Sequence, residues 1–289
     1  MNMPAPHLPV PAIPDTLTCA ADYECHGAAR LPRDILAWLD GGSGEDLTAR
    51  ANVAAFRAWR LVPRQLAPLA PPSTSVRLGP LTLPHPILLA PVAAHGLVSP
   101  QAELDTAHGA AVASSCLVLS AMSTREPEEI AQVPALRRWY QLPVGPTRPA
   151  MLEEIHRAEA LGFEALVVTL DAALQRPSRQ ALDAGFRLPA SAVRRSARSP
   201  AANATSVFER RAQGALGRQD LAWLTEVARL PVFVKGVLHP DDARVLSTLG
   251  VHGIVVSNHG GRTVDGVCAS LDALPAVRAA VGDDFPVLF

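Results

Sequence analysis

From about residue 86 onward the chain alternates short apolar runs with longer mixed stretches. The runs are Pro86–Ala90, Leu117–Ser120, Trp139–Leu142, Ala165–Leu170, Val232–Lys235, Ile254–Ser257 and Pro286–Phe289. Each is too short for a helix and lacks apolar–polar alternation, the pattern of strands buried on both faces of a parallel sheet. The stretches between them carry helix signals. Ser99-Pro100 and His239-Pro240 each set proline in a first helical turn, and Asp241 and Asp242 follow the second. Gly162 and Gly250 stop helices just ahead of the fourth and sixth runs. Repeated βα units predict either a doubly wound sheet or a barrel. No G-x-G-x-x-G follows any run, which weakens the first. Polar residues stand instead at the C-terminal ends of successive runs: Ser120, Gln141, Thr169 with Asp171, Lys235, and Ser257 with His259. Barrel enzymes build their sites on that rim, so the predicted fold is α/β, of the TIM (β/α)8 type.

Two segments break the rhythm. Residues 1–85 form an N-terminal extension, with helices predicted around Asp34–Leu39 and from about Glu45 to Arg57. Residues 187–218 are rich in Arg, Ala and Ser and lack apolar periodicity. They predict a long loop after the fourth strand, either a lid or a solvated insertion. The barrel unit is then 86–289.

Composition narrows the class. A chain of 289 residues, 48% hydrophobic and 18% charged, has ample material for one barrel of roughly 250 residues. A net charge of −1 gives no support for nucleic-acid binding. Cys19, Cys25, Cys116 and Cys268 have no metal-type spacing and read as reduced thiols, Cys116 within the core. No metal site is expected. The proline-rich opening has no signal-peptide pattern, and no apolar stretch approaches a membrane span, so a cytoplasmic location is expected. Asn203-Ala204-Thr205 is a formal glycosylation sequon without meaning in that setting.

The chemistry-bearing stretch is Ile254-Val-Val-Ser-Asn-His-Gly-Gly-Arg262. A strand delivers Asn258 and His259 to the rim, and two glycines turn the chain so that Arg262 returns beside the histidine. Histidine serves as a general base near neutral pH, and arginine grips a carboxylate through paired hydrogen bonds. The pair suits proton abstraction from a 2-hydroxy acid; the plainer reading is a turn histidine and a surface arginine. Lys235 closes an apolar strand and must find a partner, because a buried unpaired ammonium is costly. A Schiff base, a phosphate, a reduced flavin or an internal ion pair would each serve. Asp171 either partners His259 or caps a turn. Ser120 and Gln141 suit the edge of a planar heterocycle, or are satisfied core polar groups. A G-x-S-x-G elbow, a Walker loop, H-E-x-x-H and paired C-x-x-C are all absent from the sequence.

Four motifs together resemble the FMN-dependent 2-hydroxy-acid oxidase and dehydrogenase family, which includes glycolate and lactate oxidases and mandelate dehydrogenase. They are Ser257-Asn258-His259-Gly260-Gly261-Arg262, Leu230-Pro231-Val232-Phe233-Val234-Lys235-Gly236, Leu88-Leu89-Ala90-Pro91-Val92-Ala93 and Arg138-Trp139-Tyr140-Gln141-Leu142. The likeness runs in order from about Asp34 to Phe289. It implies FMN lying across the strand ends and oxidation of a 2-hydroxy acid to a 2-oxo acid, with oxygen or another acceptor reoxidising the flavin. Both a hydride path and a carbanion path fit. By this resemblance His259 is the catalytic base, Asp171 its partner, Arg262 the substrate-carboxylate clamp and Lys235 the cation beside the flavin. Ala93, Ser120, Gln141, Thr169 and Ser257 match cofactor-contacting positions, and His259, Arg262 and Trp38 line the substrate. The family also implies a homo-oligomer, commonly a tetramer.

Departures from the family pattern are equally specific. Trp38 and Pro143 stand where the family places substrate-site tyrosines, Ala172-Ala173 replaces a Thr-Pro, and Ser178 replaces an arginine, with Arg176 and Arg179 nearby. A rebuilt substrate shell is expected. Phe289 ends the seventh strand, and the family's phosphate-binding turns and eighth strand would follow it. The 289 residues alone are therefore expected to form an incomplete barrel that binds FMN poorly. The alternative function is a non-catalytic remnant acting as scaffold or partner.

Overall fold

The computed structural model describes residues 13–66, 71–143, 147–172, 175–194 and 215–289. An antiparallel hairpin, β1 (Val76–Leu78) and β2 (Leu81–Leu83), precedes the main sheet. Seven parallel strands then follow one another in space as in sequence: β3 (Leu88–Leu89), β4 (Cys116–Leu119), β5 (Arg137–Gln141), β6 (Leu166–Thr169), β7 (Val232–Val237), β8 (Gly253–Val256) and β9 (Val287–Leu288). This curled sheet is open between β3 and β9. All seven predicted runs become strands. The outermost two shrink to two residues each, because each has a ladder partner on one side only.

Helices α4 (Glu103–Val112), α5 (Pro127–Ala131), α6 (Arg148–Ala160), α7 (Arg179–Asp183), α8 (Arg218–Val227), α9 (Pro240–Ser247) and α10 (Ser270–Val281) occupy the connections. Side-chain alternation along each strand divides the core in two. Leu117, Leu119, Tyr140, Leu166, Val168, Val234 and Ile254 face outward into a core shared with Ala107, Ile155, Leu224, Leu246 and Val277 of the helices. Cys116, Val118, Trp139, Val167 and Phe233 face inward, with the Trp139 and Phe233 rings stacked 4.5 Å apart. Leu83, Val76, Leu78 and Leu81 of the hairpin pack on this inner cluster. Both strand faces are covered, which is why the runs show no polar alternation. Two residues further along, the same inward registers carry Ser120, Gln141, Thr169, Lys235 and Ser257 to the rim.

The helix signals hold in part. His239 caps α9, its Nδ1 accepting from the Asp241 N–H at 3.1 Å, and Pro240 is the first helical residue. Gly162 and Gly250 adopt φ of +69° and +77° after α6 and α9. Pro100 lies outside α4: Ser99–Ala102 forms a separate turn, and Ala102 at φ +52° interrupts helical geometry before Glu103.

Ahead of the sheet come α1 (Ala20–Ala28), α2 (Arg33–Asp40) and α3 (Leu47–Ala55). The last two match the predicted helices; α1 was not foreseen. Helix α3 is fastened to the segment after β8. Asn52 and Asn258 exchange amide hydrogen bonds at 2.9 and 2.8 Å, and Thr48 Oγ1 accepts from the N–H groups of Gly266 and Val267. Asp265 accepts from the N–H groups of Glu45 and Thr48. Of the long loop, residues 195–214 lie outside the described residues, as do the sequon, the opening twelve residues and Ala173. At its start, Ala192 and Val193 pack on Ala94 and Trp38, and Arg194 donates to the Tyr140 hydroxyl at 2.8 Å.

Candidate active site

The rim is built upward from those inward registers. Gln141 ties three strands together: its Oε1 accepts from the Ala121 N–H at 3.0 Å and the Ser120 hydroxyl at 3.3 Å, while its Nε2 donates to Thr169 Oγ1 at 2.8 Å. Ser120, Gln141 and Thr169 are all buried. A second amide hydrogen on Gln141 and the hydroxyl hydrogen of Thr169 remain to donate. Lys235 pairs in register with Thr169 and is 8% exposed. Burial pulls its ammonium below the ordinary lysine value, with the Asp171 carboxylate opposing that fall. Ala93 sits beside Ala94, which is buried at φ +59°.

Strand β7 bulges between Lys235 and Val237. The bulged residue, Gly236, has φ +102°, and a Cβ there would lie 2.7 Å from Asp171 Cγ. A bulge beside a functional side chain is a common way of aiming it. Here the bulge gives the carboxylate room to lie against the strand. Asp171 Oδ1 meets His259 Nδ1 at 3.0 Å; Asp171 Oδ2 is buried with no hydrogen-bond partner among the described residues. A carboxylate only accepts at neutral pH, so it fixes the imidazole proton on Nδ1 and leaves the Nε2 lone pair available.

His259 opens a tight turn, His259–Gly261, with φ +60° at the histidine itself. Three bonds hold that unusual backbone: the His259 N–H donates to Ser257 Oγ at 3.0 Å, and Gly261 N–H donates to the Asn258 side chain at 3.1 Å and backbone at 3.0 Å. Gly261 is required by crowding as well as by φ, since a Cβ there would sit 2.6 Å from the Ala49 nitrogen.

Arg262, expected from the resemblance to clamp a substrate carboxylate, is anchored to backbone carbonyls. Its Nη1 donates to the carbonyls of Leu39 at 3.2 Å and Gly41 at 2.6 Å, and its Nη2 donates to that of Trp38 at 2.8 Å. These are carbonyls of the last turn of α2 and of its cap, where a cation also meets the negative end of the helix dipole. Burial lowers the guanidinium from its ordinary value, with Asp46 opposing. Three of its five N–H groups are thereby committed, and two remain, enough for one carboxylate.

Trp38 stacks on Phe186 at 5.0 Å. Ser178 is buried, caps α7 and packs against Gly41, while Arg179 points to Glu45 and Asp183 on the exposed surface. One residue at the base escaped sequence reasoning. The Gln175 amide nitrogen lies 3.1 Å from His259 Nε2. A lone glutamine in an irregular stretch carries no sequence signal for such a contact. Inside the sheet, a cavity of about 600 Å3 runs past Val118, Trp139, Lys235, Ser257 and Asn258, walled on the open side by Ala90, Pro91 and Leu288. Its size and apolar lining, with a few convergent polar groups, are those of a small-molecule site.

The model of the family described as FMN-dependent dehydrogenase matches residues 27–289. The chain belongs to that family. An L-lactate oxidase of Alicycliphilus denitrificans is 43% identical over 97% of this chain and 79% of its own length. The 2-hydroxyacid oxidase 2 of Homo sapiens is 35% identical over 92% and 76%. A crystal structure of mandelate oxidase superposes with a TM-score of 0.80 at 33% identity, covering 92% of this chain and 76% of that one. The barrel fold and family cofactor expected from the motifs are therefore those of its relatives.

The donor set fits FMN. The hydrogens left on Gln141 and Thr169 and the Lys235 ammonium stand on neighbouring strands, a donor set that would suit the carbonyl oxygens and developing negative charge of a flavin ring. No group of His, Cys, Asp or Glu among the described residues is arranged to hold a metal ion, and no helix among them is long and apolar enough to cross a membrane.

Proposed function

We propose that the chain oxidises a small 2-hydroxy acid to the 2-oxo acid with FMN as the immediate oxidant. The observation that carries this reading is the His259–Asp171 pair: one imidazole nitrogen fixed on a half-buried carboxylate at 3.0 Å, the other turned away from it toward the Gln175 amide. His259 Nε2 takes the proton the substrate gives up, and the Asp171 carboxylate stabilises the imidazolium that results. Arg262 orients the substrate carboxylate with its two uncommitted N–H groups. Ala93, Ser120, Gln141, Thr169, Ser257 and Lys235 would hold the flavin, with the Lys235 cation placed against negative charge on the ring. Bound FMN supplies the two-electron acceptor. A dyad kept in working geometry favours this reading over a non-catalytic scaffold.

The test is anaerobic mixing of the purified chain, with FMN in excess, against L-lactate, glycolate and mandelate. Bleaching of the oxidised-flavin absorbance by at least one supports the reading, and no bleaching by any of them refutes it. The exposed apolar residues Leu61, Val62 and Leu66 support self-association, a tetramer being the form the family resemblance implies. Analytical ultracentrifugation reads the oligomeric state.

A further inference from the structure

We propose that Gln175 is a substrate-recognising residue. Its amide bonds to the base, and when substrate binds it turns to donate to the substrate carboxylate. The inference rests on the oxidation reading above.

His259 Nδ1 faces an acceptor-only carboxylate, so Nε2 presents a lone pair. An amide nitrogen can only donate, and it stands 3.1 Å away. The bond therefore runs from Gln175 into the atom that must receive the substrate proton. Bond and proton transfer exclude one another, so the amide leaves Nε2 as substrate enters. Its reach stays short, because Ser178, three residues on, is buried and anchored by backbone pairing with Gly44. A displaced amide thus remains beside the reacting centre.

A further donor has acceptors to meet there. Three N–H groups of Arg262 are taken by backbone carbonyls, Pro143 has no donor, and the Trp38 ring lies against Arg262 and Phe186. Arg262 keeps two N–H groups for a substrate carboxylate, which has about four acceptor sites, so acceptor sites remain for a further donor. The Gln175 amide supplies that further donor and is exposed enough to rearrange.

Two readouts on the whole chain, wild type and Gln175→Leu, test this. The first needs no substrate: the 15N resonance of His259 Nε2, assigned with His259→Asn, moves to higher frequency in Gln175→Leu as the lone pair loses its donor. The second is the dissociation constant for L-lactate with FMN in excess, expected about tenfold weaker in Gln175→Leu, the size of one hydrogen bond to a charged group. Gln175→Glu, of the same shape but without a donor, weakens binding further. An unmoved ring resonance, or L-lactate binding equal to wild type, overturns the proposal. A wild-type chain that binds L-lactate through Gln175 yet never reduces flavin overturns the oxidation reading instead.

Discussion

The Arg262 guanidinium rests 4.9 Å from the centroid of the Trp38 ring and donates to the Trp38 carbonyl at 2.8 Å, so one residue grips it by side chain and backbone together. The backbone half of that grip survives any substitution at 38; the ring half does not. Trp38→Ala removes a cation–π contact and the stack on Phe186. Binding of a 2-hydroxy acid is expected to weaken about fivefold, in line with a contact of ~1 kcal/mol. Arg262→Lys loses the planar fork that serves carbonyls and carboxylate at once. It should cost about 100-fold in kcat/KM, measured by steady-state turnover with FMN in excess.

Asp171→Asn keeps the shape of the carboxylate but can present an N–H to His259 Nδ1, favouring the wrong tautomer. Flavin reduction in a stopped-flow instrument is expected to slow by a factor on the order of 10^3 to 10^4, with circular dichroism unchanged. A rate within threefold of wild type would remove Asp171 from its proposed role.

Gly236→Ala sets a Cβ 2.7 Å from Asp171 Cγ at a φ of +102°. Either the bulge or the carboxylate must shift. The variant should melt several degrees lower and lose most flavin reduction, whereas Gly185→Ala, with open space around it at φ +74°, pays only the backbone strain and keeps its rate.

Lys235 gives a pH signature. Its folded value is lowered by burial, so the unfolded chain holds the proton more tightly. Below the lowered folded value the ammonium is charged in both states and the folded state carries the full desolvation cost. Between that value and the ordinary 10.5 the cost is progressively relieved, and above 10.5 it is gone. Lys235→Met is therefore expected to raise the melting temperature at pH 7, by an amount that shrinks as pH rises toward the unfolded value. The same substitution should abolish flavin reduction.

Cys116 is buried, and burial pushes its thiol up to about 12, whereas Cys19, Cys25 and Cys268 are exposed. Titration with a chromogenic disulfide should count three fast thiols in the native protein and the fourth only after unfolding.

Much of this was legible in the sequence because burial leaves a dense signal. Strands covered on both faces must be apolar throughout, so all seven runs stood out, and polar residues at the C-terminal ends of five of them marked the rim. The Val76–Leu83 hairpin left no such trace, since two three-residue strands are too short for any period to register. Helix α1 has no buried residue and so no apolar stripe to read. At the site, His259, Asp171 and Lys235 were found by residue type and position. The Arg262 anchorage was not, because backbone carbonyls are present at every residue and only the fold selects which three converge. Gln175 and the bulge at Gly236 depend on where the chain bends, and the sequence carries no separate mark of that.

Arg262 and the Leu39 carbonyl are 223 positions apart, and Asn52 and Asn258 are 206 apart. Contacts of that separation close only after the intervening βα units have condensed, because the entropy of joining distant segments must be met first. The substrate wall is therefore expected to form late in folding, so that a partly denatured protein would hold a formed sheet with an unformed site, which hydrogen exchange at Asn52 and Arg262 would read.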